Sequence, residues 1–207
     1  MSVFGVLIYP GVEELDFQGP WEMVGMWHKY AGGPQPRLVA RSLEPVRCAH
    51  GMRVLPDIDF AHAGPLTQLL VPGGFAAFEE MNRADLTGFV RRHAEAGTTV
   101  MSVCSGSFIL LAAGLLAGRR ASTNWKVVDR LREAGVEVIE ERYTRDGPVW
   151  TSAGVSAGID MLLAYIAATQ GEEAASLVQM HAEYFPEGRV WGHAREAQPV
   201  PSYVTRA

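Results

Sequence analysis

Cysteine is scarce in this chain: among 207 residues only Cys48 and Cys104 carry a thiol. Two thiols cannot build a disulfide framework at this length, so a reducing compartment and a cytoplasmic location are expected. Basic charge is also short. With 18 Lys and Arg against 23 Asp and Glu, the formal net charge of -5 argues against nucleic acid as the main partner. Long apolar runs are missing. The stretch from Phe108 to Leu116 falls far below the ~20 residues of a spanning helix, so no membrane partner is expected. The opening residues Met1-Ser-Val-Phe-Gly-Val-Leu-Ile-Tyr place no basic group before their apolar run, unlike a signal peptide. The histidines (His28, His50, His62, His93, His181 and His193) are scattered, with no pair at helical metal-ligand spacing and no cysteine cluster beside them. No metal site is expected. No glycine-rich segment is followed by Gly-Lys-Ser/Thr, which disfavours ATP or a dinucleotide.

What is present is an ordinary globular composition, 48% hydrophobic and 20% charged, on a chain long enough to bury a core without staples. Apolar runs with β-branched members at Val3–Tyr9, Arg37–Ser42, Leu66–Val71 and Thr99–Val103 read as strands. Val46–Leu55 reads as a hairpin around Gly51, and Val136–Ile139, Glu141–Thr144 and Val149–Thr151 as short strands. Helices are expected over Asp16–Tyr30, Ala84–Ala96, from Cys104 to about Leu116, and over Lys126–Glu133, Gly158–Thr169 and Glu172–Glu183. Strands alternating with helices predict an α/β fold, a mainly parallel sheet with helices on both faces. Ligands of such sheets bind at the carboxyl ends of the strands. Three segments fall there: Pro10 to Asp16, Pro72-Gly73-Gly74, and Cys104-Ser105. The residues from Pro186 onward turn polar and read as an irregular tail, giving a domain over 1–185 and a tail over 186–207.

The segment Thr99-Val-Met-Ser-Val-Cys-Ser-Gly-Ser-Phe-Ile-Leu-Leu-Ala-Ala carries the sharpest chemical signal. A buried strand ends at Cys104, small residues (Ser102 and Gly106) flank it at two positions on either side, and a helix follows. That is a nucleophile elbow with a thiol at its apex, and the positive end of the helix dipole is expected to favour thiolate. Gly73 and Gly74 allow a backbone turn toward a ligand, and with the Ser105 N–H they form a candidate oxyanion hole; a plain strand-ending turn fits the same residues. Asp16, with Glu13 and Glu14 as rivals, reads on pattern as a helix N-cap, with proton transfer to or from a thiol as the alternative. Cys48, in a hairpin, reads as structural.

Five segments together resemble the ThiJ/PfpI superfamily: Leu15-Asp-Phe-Gln-Gly-Pro, Val71-Pro-Gly-Gly, Ser102-Val-Cys-Ser-Gly-Ser, the stretch from Ala112 to Trp125, and Thr151-Ser-Ala-Gly-Val-Ser-Ala-Gly-Ile-Asp. The resemblance runs from Phe4 to about Pro186 and is strongest to the isonitrile hydratases. It implies a flavodoxin-like three-layer sandwich, a homodimer, no cofactor and a small electrophilic substrate. It makes Cys104 the nucleophile and Asp16 its acidic partner, with Gly74 and Ser105 as backbone donors and Gly73, Asn124 and Trp125 around the substrate. The implied activity is hydration of isonitriles to N-substituted formamides. Alternatives are an enzyme acting on glyoxals or glycated groups, or a module that binds ligands or senses oxidation. Asn124 and Ser105 depart from the pattern, where a histidine and a threonine are usual. Asparagine cannot act as a base, which weakens any Cys–His chemistry.

Overall fold

The computed structural model describes residues 2–186, so the tail expected over 186–207 lies, apart from Pro186, outside the described residues. The strands are β1 (Val3–Leu7), β2 (Gln35–Ala40), β3 (Val46–Arg47), β4 (Arg53–Val54), β5 (Ile58–Asp59), β6 (Gln68–Val71), β7 (Thr99–Val103), β8 (Arg120–Ala121), β9 (Glu137–Val138), β10 (Tyr143–Asp146) and β11 (Val149–Ser152). The helices are α1 (Glu14–Ala31), α2 (Ala77–Glu80), α3 (Ala84–Glu95), α4 (Gly106–Ala112), α5 (Val128–Glu133), α6 (Ala157–Gln170) and α7 (Glu172–His181), with a 3-10 turn at Trp125–Val127 before α5.

Seven strands form one sheet in the order β10-β11-β7-β6-β1-β2-β5, parallel throughout except for the β10–β11 hairpin at its edge. The central strands are buried along nearly their whole length, as β-branched and leucine-rich runs covered on both faces must be. Helices α1, α6 and α7 pack together on one face, and α2, α3 and α4 on the other. This is the flavodoxin-like three-layer sandwich. The order β2-β1-β6-β7-β11 places its switch point beside β1, so the loops after β1, β6, β7 and β11 converge at one edge.

Some boundaries differ from the sequence reading. The helix after Cys104 stops at Ala112 instead of Leu116, because the chain turns at Gly114 with φ 81°. The helix expected over Lys126–Glu133 splits at Val127, whose φ of -127° and ψ of 14° are not helical. Asp16 is not an N-cap: α1 begins two residues earlier, and Glu13, at the cap position, makes no side-chain capping bond.

Candidate active site

Cys104 sits at the turn between β7 and α4 with φ 59°, a left-handed conformation in which a non-glycine residue is uncommon. The strain is held by the surroundings. The Cys104 amide donates to the Ser152 and Ala153 carbonyls, and its own carbonyl accepts from Thr123 Oγ1 at 3.0 Å and Ser107 Oγ at 3.2 Å. Gly106 explains the small residue required after the thiol. A Cβ there would lie 2.2 Å from the Val71 carbonyl oxygen, so only glycine lets α4 start against the end of β6.

The Asp16 carboxylate is fully buried on the first turn of α1. Its Oδ2 accepts the Gly73 N–H at 2.9 Å and its Oδ1 accepts the Val155 N–H at 3.1 Å. The Cys104 thiol lies close enough to the same carboxylate for each group to shift the other's proton affinity. Tyr9 braces the Gly73 peptide from behind, donating to the Pro72 carbonyl at 2.7 Å with the Gly73 carbonyl 3.0 Å away. Val155 holds φ 53°, a strained conformation for a β-branched residue, and this turns its amide toward Asp16.

Burial pushes the Asp16 carboxyl up to about 7, with the negative charge of Glu13 adding to the effect and the Gly73 and Val155 amides and the Cys104 thiol opposing it. Burial likewise pushes the Cys104 thiol up to about 12, and the Asp16 charge adds to this. The Ser105 amide and hydroxyl and the Asn124 side chain pull in the other direction. The expectation of a standing thiolate is therefore corrected: desolvation and an adjacent carboxylate outweigh the short α4 and the local donors. Between about 7 and about 12 the pair holds a single proton, resting on sulfur.

The structure brings the remaining sequence candidates to the same place with altered partners. The Gly74 N–H, expected to face substrate, donates instead to Ser105 Oγ at 3.0 Å, and the Ser105 hydroxyl donates back to the Gly74 carbonyl at 2.8 Å. Ser105 thus clips the loop after β6 to the loop after β7, while its own amide favours the ionised form of the Cys104 thiol. Asn124 Oδ1 accepts the Lys126 N–H at 3.0 Å, and the Asn124 side chain favours the ionised form of the thiol. A cleft of about 360 Å³ opens over Cys104, lined by Phe75, Phe78, Trp125, Val127 and Val155 with Glu13 and Lys126 also in its wall. Phe75 is 88% exposed at this cleft. No histidine among the described residues lines it.

A second cluster lies nearby. Ligand atoms of Glu13, Glu14 and His50 fall within 4.8 Å of one another, brought together by the β3–β4 hairpin, which residue spacing alone could not reveal. Hydrogen bonds tie it together. His50 Nε2 meets Glu13 Oε1 at 2.9 Å, and Glu14 Oε1 accepts the His50 amide at 2.8 Å. Cys48 is buried in the same hairpin, and burial together with the Glu14 charge pushes its thiol up to about 11. It lies outside the cleft lining.

Residues 2–168 match the DJ-1/PfpI family. The chain belongs to that family. It is 36% identical over 182 residues to an isonitrile hydratase of Pseudomonas putida, covering 88% of this chain and 78% of the relative. A deglycase of Pyrococcus horikoshii is 31% identical over 112 residues, 53% of this chain and 67% of that one. A crystal structure of a ThiJ/PfpI family protein from Pseudomonas syringae superposes with TM-score 0.86 at 32% identity, covering 99% of this chain and 83% of that one. In this DJ-1/PfpI chain Val155 is the site residue that the sequence reading left without a role. The segment Thr151 to Asp160 marked the family, but the positive φ that aims the Val155 amide has no signature in a valine codon. Among the described residues no helix is long and apolar enough to cross a membrane.

Proposed function

We propose that this chain is a cofactor-free hydro-lyase that converts isonitriles to N-substituted formamides. The observation that carries the reading is the Asp16–Cys104 pair, one buried carboxylate beside one thiol beneath an apolar cleft that no histidine among the described residues lines. The resemblance to an isonitrile hydratase supports it. An isonitrile carbon accepts a nucleophile and a proton at the same atom. Sulfur bonds to that carbon while Asp16 takes the S–H proton and delivers it to the same carbon, giving a thioimidate. Water then adds to the thioimidate carbon, its proton passing through Asp16 to nitrogen. Collapse of the tetrahedral adduct breaks the C–S bond, returns the proton to sulfur and releases the formamide. The Ser105 amide and the Asn124 side chain, which favour the ionised thiol, stabilise the charge that sulfur carries on leaving.

Pure protein incubated with p-nitrophenyl isocyanide should form the corresponding formamide. Formation no faster than with Cys104→Ala contradicts the reading. A second reading, action on glyoxals or glycated groups, is favoured by the deglycase relative. It is opposed by Asn124 and by a cleft lined by no histidine among the described residues. Cys104-dependent lactate formation from methylglyoxal, outpacing any isonitrile hydration, would decide for it. An oxidation sensor needs a ready thiolate, which the upward shift of Cys104 to about 12 disfavours.

A further inference from the structure

Two cations stand against the aromatic residues of the cleft, Lys126 in its lining and Arg130 beside it. Lys126 Nζ lies 5.2 Å from the centroid of the Trp125 ring. Four residues on, the Arg130 guanidinium lies 4.1 Å from the centroid of Phe78 and 5.3 Å from that of Phe108. Trp125 and Phe78 both line the cleft over Cys104. Among the described residues neither cation is ion-paired, whereas the neighbouring Arg132 is bound to Asp129 and Glu140. The carboxylate in the wall, Glu13, is engaged by His50 Nε2 at 2.9 Å. The cleft is thus apolar inside, with two unpaired cations held over its aromatic wall.

We propose that the substrate is a carboxylate-bearing electrophile: an apolar or aromatic body fills the cleft with its reactive carbon at Cys104, and its acid group meets Lys126 and Arg130. Carboxylates pair with ammonium and guanidinium groups, and an apolar body shields the pair from water. This deepens the isonitrile reading, since it names the substrate class as isocyano acids. Lys126 and Arg130 are specificity residues. Lys126 lines the cleft and Arg130 packs on Phe78 beside it; both side chains are exposed and take no part in the bond changes at Cys104.

Two measurements keep the inference separate from the hydratase reading. In the first, 4-fluorobenzoate and 4-fluorobenzamide are titrated with the protein and followed by fluorine NMR. The acid should bind about three- to ten-fold tighter than the amide, and the preference should vanish in the Lys126→Met/Arg130→Met variant. Equal binding, no binding, or a preference that survives the double substitution overturns the inference. In the second, 4-isocyanobenzoate is compared with its methyl ester as substrate. The acid should show the higher kcat/KM through a lower KM, and in the double variant the ratio of kcat/KM for acid over ester should fall to about one. Turnover of both without an acid advantage sinks the inference and leaves the hydratase reading standing. Turnover of neither, with acid-selective binding in the first measurement, sinks the hydratase reading and leaves the ligand class standing.

Discussion

Asp16 carries the pH dependence of the site. With its carboxyl raised to about 7, protonation below that value removes the base that takes the thiol proton. The kcat/KM for isonitrile hydration should therefore rise with pH through a midpoint near 7 and then level off, because Cys104 stays protonated until about 12. Asp16→Asn should lower kcat on the order of 10²–10⁴-fold and abolish this limb of the profile, since an amide cannot shuttle a proton. On local pattern Asp16 looked like a cap, and the family resemblance alone pointed to it as the acidic partner of Cys104. Its true partners, the amides of Gly73 and Val155, lie 57 and 139 residues away, beyond the reach of any local pattern. Cys104 was legible because an elbow is a local device, written in a strand, a turn and a helix that adjoin in the chain. What the local pattern could not show was its burial, and burial is what turned the expected thiolate into a thiol.

At the scale of elements, the site depends on two close approaches. The start of α4 lies against the end of β6 at Gly106, so Gly106→Ala should force Cys104 and Ser105 apart from Gly73 and Gly74. A loss of about 2 kcal/mol or more in denaturant unfolding, together with loss of turnover, is the expected outcome. The second approach is between α1 and α6, where a Cβ on Gly158 would lie 2.7 Å from Pro20 Cγ and 2.8 Å from Val103 Cγ2. Parting these helices draws the Val155 amide away from Asp16 and removes a bond that lowers its pKa. Gly158→Ala should accordingly shift the kcat/KM midpoint upward from about 7, which a pH profile of the variant checks. The existence and type of the long elements followed from periodicity, but the split at Val127 and the early end of α4 did not. Both are set by single backbone conformations inside otherwise helical runs.

For the molecule as a whole, the same carboxyl couples function to stability. An Asp with an ordinary value of 3.8 when unfolded and about 7 when folded holds its proton more tightly in the native state. Its contribution is therefore greatest in acid and is lost as pH rises between about 4 and about 7, by up to about 4 kcal/mol. The unfolding free energy of the wild-type protein relative to Asp16→Asn should fall across that window and stay flat above it, as read by urea titrations at several pH values. The alternation of strands and helices foretold a parallel α/β sheet. The order of its strands came from pairings between distant segments that no periodicity encodes. That order brings the loops after β1, β6, β7 and β11 to one edge, and it makes a carboxylate from the start of the chain the partner of a thiol from its middle. The most direct test of this account is the rate of formamide production from an aryl isonitrile, measured from pH 5 to pH 9 on the wild-type protein, Cys104→Ala and Asp16→Asn. The account predicts wild-type turnover rising through a midpoint near 7, none in Cys104→Ala, and in Asp16→Asn a rate lowered on the order of 10²–10⁴-fold without that rise. Turnover that persists in Cys104→Ala, or a wild-type profile that Asp16→Asn leaves unchanged, would contradict it.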